Sequence, residues 1–123
     1  MTPLAGHLSA FLREYLPHDR GASPHTIDAY AQGLSLLIRF AAHRRAKAPS
    51  NLVLEEIDTS LVLAFLQDAE IQRQASVRTR NARLAAIKAF FRFLEYRLPA
   101  GLEQARQIRA IPRKRADEAW SPG

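Results

Sequence analysis

The sequence predicts an all-α protein, a compact bundle of four to five helices. Apolar residues recur at the i, i+3, i+4, i+7 spacing of a helix in several segments, and strand-like alternation is found nowhere. Prolines, glycines and capping residues separate these segments from one another. The length of 123 residues corresponds to about one domain, which we expect over residues 1–111, followed by a linker or tail over 112–123.

The first two helices have recognisable start and stop signals. Apolar spacing predicts the first over about Leu4–Leu16, and Pro17 followed by the segment HDRGAS should end it. The second is predicted over about Pro24–Arg44, with Ser23 as its cap and a proline in its first position. Within it, Gly33 costs about 1 kcal/mol relative to alanine, so it either permits close approach of another backbone or is simply tolerated.

Three further helices are predicted in the second half of the chain. The third covers about Ser60–Ile71 with Asp58 or Thr59 as its cap, and the fourth covers about Ser76–Arg97, capped by its own first serine. Only the residues QRQA separate these two helices, so they should form a hairpin or corner. A short fifth helix is predicted over about Leu102–Ala110, and the closing IPRKRADEAWSPG has no apolar periodicity.

Charge is distributed unevenly along the chain, whose net charge is +6. Residues 1–70 contain six basic and eight acidic side chains, whereas residues 71–115 contain twelve basic and two acidic ones, a net charge of +10. Asymmetry of this size indicates a polyanionic partner, either nucleic acid or an acidic membrane surface. A solvated helix face usually mixes acidic and basic residues, so phosphate contact is the favoured interpretation.

Composition also narrows the compartment and the class of protein. The chain has no cysteine, which excludes disulfides, thiol catalysis and cysteine metal sites and fits a reducing interior. No apolar run approaches the roughly 20 residues of a membrane span, and the first residues lack the pattern of a signal peptide. We therefore expect a soluble cytoplasmic protein that makes no contact with membranes.

Self-contained catalysis is not predicted, and neither is a cofactor or metal. None of the four histidines pairs with another histidine or a carboxylate at metal-ligating spacing, and no Gly-rich phosphate loop exists. The acidic group Glu55, Glu56 and Asp58 precedes a helix, where carboxylates are electrostatically favoured. The three tyrosines fall within predicted helices, where a structural role is the simpler interpretation.

The strongest functional signal is the stretch SVRTRNARL, which opens the fourth helix. It places Arg78, Arg80 and Arg83 in the first two turns, although a helix N-terminus favours anions and not cations. An incoming phosphate would explain this arrangement, because free N–H groups, hydroxyls and arginines would then converge on it. Arg80 falls near the apolar face, so its stem could instead pack against the core.

The start of the second helix offers a similar set of small and polar groups, so two helix starts could face the same duplex. Ordinary capping is the alternative for this second surface. The candidate DNA-binding residues are Ser23, His25, Thr26, Gln32, Ser76, Arg78, Thr79, Arg80, Arg83 and Lys88.

Two segments resemble the core-binding domain of the tyrosine recombinases, the phage-integrase and Xer-like enzymes. SPHTIDAYAQGLSLLIRF resembles a Ser-Pro-x-Thr-x-x-x-Tyr-x-x-x-Leu pattern of that family, and SVRTRNARLAAIKAFFRFL resembles a later Ser/Thr-Asn-Arg-Leu-aromatic pattern. The matching residues are Ser23, Pro24, Thr26, Tyr30 and Leu34, then Ser76, Thr79, Leu84, Ile87, Phe90, Phe91 and Leu94. Asn81 and Arg83 are offset from the pattern. The connector LEEIDTSLVLAFL also resembles the family's third helix, and the likeness covers about residues 4–110.

The resemblance implies a SAM-like helical domain that forms one half of a C-shaped clamp on double-stranded DNA. The starts of the second and fourth helices would face the duplex. In such enzymes the tyrosine nucleophile lies in a separate C-terminal catalytic domain, so no catalytic residue is assigned here. The resemblance also implies contact with other recombinase protomers in a synaptic complex, whereas the isolated domain is expected to be a monomer.

Two other classes of protein stay open on the sequence alone. A helical protein–protein interaction module could use the same arginines to bind an acidic partner. A helix-turn-helix transcription regulator is compatible with the QRQA turn, although the fourth helix is longer than such a unit needs.

Overall fold

A computed structural model shows the fold and describes residues 1–115 of the chain. Over these residues the all-α prediction is confirmed, because five helices form and the sole strand-like contact is an isolated bridge between Pro3 and Val53. The helices are α1 (Ala5–Ala10), α2 (Pro24–Arg45), α3 (Thr59–Ile71), α4 (Val77–Arg97) and α5 (Leu102–Arg109). Short 3₁₀ turns lie at Pro49–Asn51, Leu54–Glu56 and Pro99–Gly101.

The first helical segment runs further than predicted. α1 continues into a π-helical segment, Phe11–Asp19, which contains Pro17 in its interior. A proline ring clashes with the carbonyl four residues earlier in a regular α-helix, and the wider π-type turns accommodate it. The segment ends where Gly21 adopts a left-handed φ of +61° and the Ala22 N–H donates to the Leu16 carbonyl.

Helices α2 and α4 begin with the same hydrogen-bonding device. The Ser23 hydroxyl accepts from the Thr26 N–H at 3.2 Å and donates to the Thr26 hydroxyl at 3.1 Å. Ser76 and Thr79 repeat both bonds at 3.1 Å. Helix α3 is capped by Asp58, which accepts from the Leu61 N–H. Both predicted serine caps are thereby confirmed, and Asp58 is the cap of the third helix.

The core forms around α4, which packs against α2, α3 and α5. Phe11 is fully buried at the centre of an aromatic cluster that joins the first helical segment to α2 and α4. Its ring contacts those of Tyr15, Tyr30, Phe90 and Phe93 at centroid distances of 5.4 to 6.4 Å. This cluster sets the relative positions of the elements that carry the candidate site.

Helices α2 and α4 approach closely at Gly33. A Cβ placed there would lie 3.4 Å from the Cβ of Ala86 and 3.8 Å from the Cα of Arg83. The close approach suggested by this glycine in the sequence is therefore present. It brings the first turns of α4 beside the middle of α2.

The loop over residues 52–57 receives contacts from the first residues and from α5. Near the N-terminus, Thr2 donates its N–H and its hydroxyl to the Glu55 carboxylate. From α5, the Gln104 side-chain amide donates to the carbonyls of Leu54 and Ile57 at 2.9 and 2.7 Å. These bonds attach the first residues and α5 to one central loop.

Residues 112–115 continue beyond α5 without regular structure. The predicted linker or tail over 112–123 lies for the most part outside the described residues, since these end at 115. The division at residue 111 stays a prediction.

Candidate nucleic-acid interface

The start of α4 presents backbone donors and exposed side chains together. Ser76 satisfies the Thr79 N–H, and the first bond of the helical ladder runs from the Arg80 N–H to the Ser76 carbonyl. The N–H groups of Val77 and Arg78 precede that ladder, so they are available to an anion. Arg78 and Thr79 are exposed beside them.

The start of α2 has the same geometry but a different set of side chains. Ser23 and His25 are exposed there, and Thr26 is half-buried. The hydrogen bonds between Ser23 and Thr26 explain both residues as an ordinary helix cap. Direct DNA contact by them therefore stays a prediction.

A groove of about 380 Å³ lies between α2 and α4 and brings together four of the candidate residues. Gln32 lines it from α2, and Arg78, Thr79 and Arg83 line it from α4. The close packing at Gly33 creates this juxtaposition. Arginine and glutamine can bind base edges with paired hydrogen bonds, so the groove combines phosphate-binding and base-reading chemistry.

A second, larger groove of about 970 Å³ lies between α4 and residues 112–115. Arg78 lines both this groove and the first one, and Lys88 and Arg113 add further positive charge. Burial lowers the pKa of Lys88, and the nearby charges of Arg80, Arg109 and Arg113 lower it further. The second of these causes reflects the three arginines near Lys88.

A third groove, of about 230 Å³, lies between α2 and α3 and shares Arg83 with the first. Arg39 and His43 line it from α2, and Arg73 lines it from the turn before α4. Arg39, Arg73 and Arg113 line these grooves but are not among the ten candidate residues chosen from the sequence. The excess of positive charge in residues 71–115 was the available signal for Arg73 and Arg113, but it could not show which basic residues share a surface.

The cations that line these grooves differ in how they are paired. Arg78, Arg83, Lys88 and Arg113 form no ion pair and no side-chain hydrogen bond with any other residue of the described range 1–115. By contrast, Lys114 lines the larger groove and pairs with both oxygens of Glu70, at 2.9 and 3.0 Å. Cations left uncompensated in this way can bind an external anion without first breaking an internal pair.

Arg80 is buried, as the sequence suggested from its position near the apolar face, and only 6% of its surface is exposed. Its Nη1 donates to the Asn81 side chain and to the Pro112 carbonyl, both at 3.1 Å. Its Nε lies 3.7 Å from a Glu70 oxygen, which is within ion-pair range but too long for a hydrogen bond. Arg80 thus differs from the other arginines of SVRTRNARL in being held internally.

Neither a metal centre nor a membrane span is present among the described residues. Within residues 1–115 there is no group of three or more His, Asp or Glu side chains placed to hold a metal ion. No helix in that range has a stretch both long enough and apolar enough to cross a bilayer.

Comparison with known proteins gives a consistent result. The family model described as phage integrase, N-terminal SAM-like domain matches residues 8–97. The y4rC and y4rD proteins of Sinorhizobium fredii, whose names describe each as an integrase/recombinase, are both 45% identical to this chain over 91% and 92% of its length. The tyrosine recombinase XerC of Pelobacter propionicus is 32% identical over 93% of this chain.

These relatives are longer than this chain. The matched region makes up 34% of y4rC, 40% of y4rD and 35% of the XerC sequence. No solved structure matches the chain at a significant level.

Proposed function

The chain belongs to the phage integrase N-terminal SAM-like domain family, the core-binding domains of tyrosine recombinases, and we propose that it binds double-stranded DNA sequence-specifically through the starts of α2 and α4. In this proposal it acts as one half of a clamp on DNA, and a separate C-terminal domain catalyses recombination. Contact with other recombinase protomers belongs to the DNA-bound assembly, and the isolated domain is a monomer.

One observation carries the proposal: two uncompensated arginines line the groove where α2 and α4 meet. Arg78 and Arg83 make no internal ion pair among residues 1–115. The backbone N–H groups of Val77 and Arg78 precede the first hydrogen bond of the α4 ladder, which starts at the Arg80 N–H. Backbone N–H groups at a helix start, together with arginine, form a phosphate site. Without an anion, the same arginines oppose the helix dipole.

Sequence-specific reading is supported by the side chains in that groove. Arg83 and Gln32 can bind guanine and adenine edges, respectively, through paired hydrogen bonds. Thr79 can bind either a base edge or a phosphate. Ser23, His25, Thr26, Ser76 and Lys88 are proposed as flanking contacts to the DNA backbone, and Arg80 is proposed to support the site from within the fold.

The first experiment measures duplex binding over a series of salt concentrations. We expect wild-type affinity to fall steeply with salt, because each phosphate contact releases counterions. Arg78→Ala and Arg83→Ala should weaken binding and reduce the salt slope by about one for each phosphate that the variant no longer binds. Arg13→Ala removes an exposed arginine of the first helical segment that lines none of the three grooves, and it should bind like the wild type.

An acidic polypeptide of matched charge serves as the competing partner. Equal or tighter binding to this polypeptide would favour a protein-interaction module over a DNA-binding domain. Unchanged DNA binding by Arg78→Ala and Arg83→Ala would contradict the proposal at its central observation.

Specificity needs a separate measurement because the target site is not known. Selection from a pool of randomised duplexes should enrich a common motif with the wild type, and Arg83→Ala should lose preference at one or more of its positions. Recovery of sequences without any common motif would leave a non-specific DNA-binding domain.

A further inference from the structure

Residues 112–115 are exposed, yet they are held along α4 by several independent contacts. Ile111, just before them, is buried with only 4% of its surface exposed. A short exposed segment without helix or strand is normally mobile. The contacts that hold this one therefore need an explanation beyond the termination of α5.

Asn81 makes the most specific of these contacts. Its Oδ1 accepts from the Lys114 N–H at 2.9 Å, and its Nδ2 donates to the Lys114 carbonyl. A side-chain amide that bonds both backbone groups of one residue mimics a strand partner and fixes the local path of the chain. One turn of α4 thus determines where residue 114 lies.

Two further contacts reinforce this path and compensate a nearby acidic charge. Arg80 donates to the Pro112 carbonyl at 3.1 Å, and the Lys114 ammonium pairs with both oxygens of Glu70 at 2.9 and 3.0 Å. Glu70 also faces Arg80, so two cations compensate its charge. It consequently offers little repulsion to an incoming phosphate.

The groove between α4 and residues 112–115 is lined by positive side chains from both of its sides. Lys88 is half-buried on α4 among Arg80, Arg109 and Arg113, and it shares the groove lining with Arg78 and Arg113. None of Arg78, Lys88 and Arg113 is compensated by an acidic residue within the described range. Positive side chains from two different parts of the chain therefore face the same space, whose shape depends on where residues 112–115 lie.

We propose that the groove between α4 and residues 112–115 is a second phosphate site for the DNA, with Arg78, Lys88 and Arg113 as its ligands and with Arg80 and Asn81 as positioning residues. This inference rests on the proposed function and extends it to a groove that residues 112–115 form with α4. The Asn81 and Arg80 bonds hold the segment in its binding position beforehand. Binding then avoids the entropy of ordering a loose basic segment.

The test compares duplex binding by two variants, Arg113→Ala and Asn81→Leu, at low salt. Arg113→Ala removes a ligand and should weaken binding about tenfold, the usual scale for a hydrogen bond to a charged group. Asn81→Leu removes no positive charge and preserves side-chain size, yet it should also weaken binding by releasing the segment. The Lys114 amide should lose protection from hydrogen exchange in Asn81→Leu while the amides of the core helices keep theirs, which distinguishes a local release from a general loss of stability.

The double variant Asn81→Leu/Arg113→Ala shows whether Asn81 affects DNA binding by positioning Arg113 or in some other way. If Asn81 acts through Arg113, then Asn81→Leu should weaken binding much less in the Arg113→Ala background than in the wild type. Equal effects in both backgrounds would overturn the positioning role. Wild-type affinity of Arg113→Ala would overturn the second phosphate site.

The same series distinguishes this inference from the proposed function. If Arg78→Ala and Arg83→Ala weaken binding while Arg113→Ala and Asn81→Leu do not, the inference fails and the proposed function stands. If none of the four single variants weakens binding, both fail. Arg13→Ala again controls for the loss of one arginine.

Discussion

At the scale of single residues, Arg80 is the buried charged side chain among residues 1–115, and its removal should lower stability. Arg80→Ala loses buried packing, two hydrogen bonds and one of the two cations that face Glu70. We expect it to lower the free energy of unfolding by about 1–3 kcal/mol, the range for disrupting buried, charge-assisted hydrogen bonds. Chemical denaturation measures this loss.

Arg80→Met is the matched variant because it keeps most of the buried stem. It should lose less stability than Arg80→Ala, since only the charge and its hydrogen bonds are removed. Wild-type stability of Arg80→Ala would show that the arginine contributes no more than an ordinary surface charge.

His7 should make stability dependent on pH. Burial lowers its pKa, and the positive charge of Arg97 lowers it further; its Nδ1 is buried without a hydrogen-bond partner among residues 1–115. The unfolded chain therefore binds the proton more readily than the folded one. The contribution of neutral His7 is fully present above the unfolded pKa of about 6.5 and is lost as the pH falls below it.

Unfolding measured over a pH series tests this expectation. The His7→Gln variant has no titratable side chain at position 7. Its free energy of unfolding should therefore decline less than that of the wild type as the pH is lowered from about 6.5. His18→Gln removes a histidine at an exposed position and serves as the matched control. Parallel curves for His7→Gln and the wild type would assign the pH dependence to other groups.

The structural role of a single residue could be predicted from the sequence where that role follows from the local helical pattern. The burial of Arg80 could be predicted because its helical position falls near the apolar face. The role of Asn81 could not, because its partner is 33 residues away in an irregular segment. Such a contact has no periodicity, so it becomes visible only once the path of residues 112–115 is known.

At the scale of elements, the end of α2 contains backbone strain at Ala46 that a substitution by glycine should relieve. Ala46 adopts a left-handed φ of 55°, and the Lys47 N–H closes the helix on the Ala42 carbonyl. Glycine is the preferred residue at such a position. Ala46→Gly should therefore raise the free energy of unfolding by up to about 1 kcal/mol, as relief of the steric strain exceeds the added backbone entropy of the unfolded state.

Ala29→Gly, in the interior of the same helix, is the control in which an alanine-to-glycine change should lower stability. At this exposed interior position, glycine should lower stability by about 1 kcal/mol. Thermal unfolding of both variants should therefore shift the melting temperature in opposite directions. A decrease in both would mean that the left-handed conformation of Ala46 carries little strain.

Element boundaries could be predicted wherever capping chemistry is local. The ends of α2, α3, α4 and α5 lie within a residue or so of the predicted limits. The first segment is the exception, because Pro17 was expected to end the helix and instead lies inside a π-helical stretch that continues to Asp19. Tertiary packing of Phe11 and Leu16, both buried, favours that continuation over local propensity.

At the scale of the whole molecule, we expect no DNA cleavage and no covalent DNA adduct from this chain. The Tyr30 ring packs parallel to that of Phe11 inside the aromatic cluster. Tyr96 is exposed about 30 Å along α4 from Ser76, at 1.5 Å per residue. Tyr96 is therefore remote from the start of α4, whereas Tyr30 lines the groove between α2 and α4 as part of the aromatic cluster.

Suicide duplexes followed by denaturing gels provide the measurement. No protein–DNA band should appear with the wild type. A band that disappears in Tyr30→Phe or Tyr96→Phe would show that one of these tyrosines is a nucleophile.

Fold class and family could both be predicted before the structure, because they depend on the order and spacing of helical segments. The resemblance carried by the two Ser-capped helices is confirmed by membership of the integrase N-terminal domain family. The three connected grooves could not be predicted. They depend on how Gly33 lets α2 and α4 approach, on the packing of α3 and on the path of residues 112–115, which no single segment reveals.

The central loop over residues 52–57 also has a consequence for folding kinetics. Its bonds to Thr2 and Gln104 span 53 and 50 residues of sequence, respectively. Contacts that close loops of this length carry a larger entropic penalty than those within a helix or between adjacent helices. We therefore expect the loop to dock after the transition state, so that weakening it accelerates unfolding while the folding rate stays nearly constant.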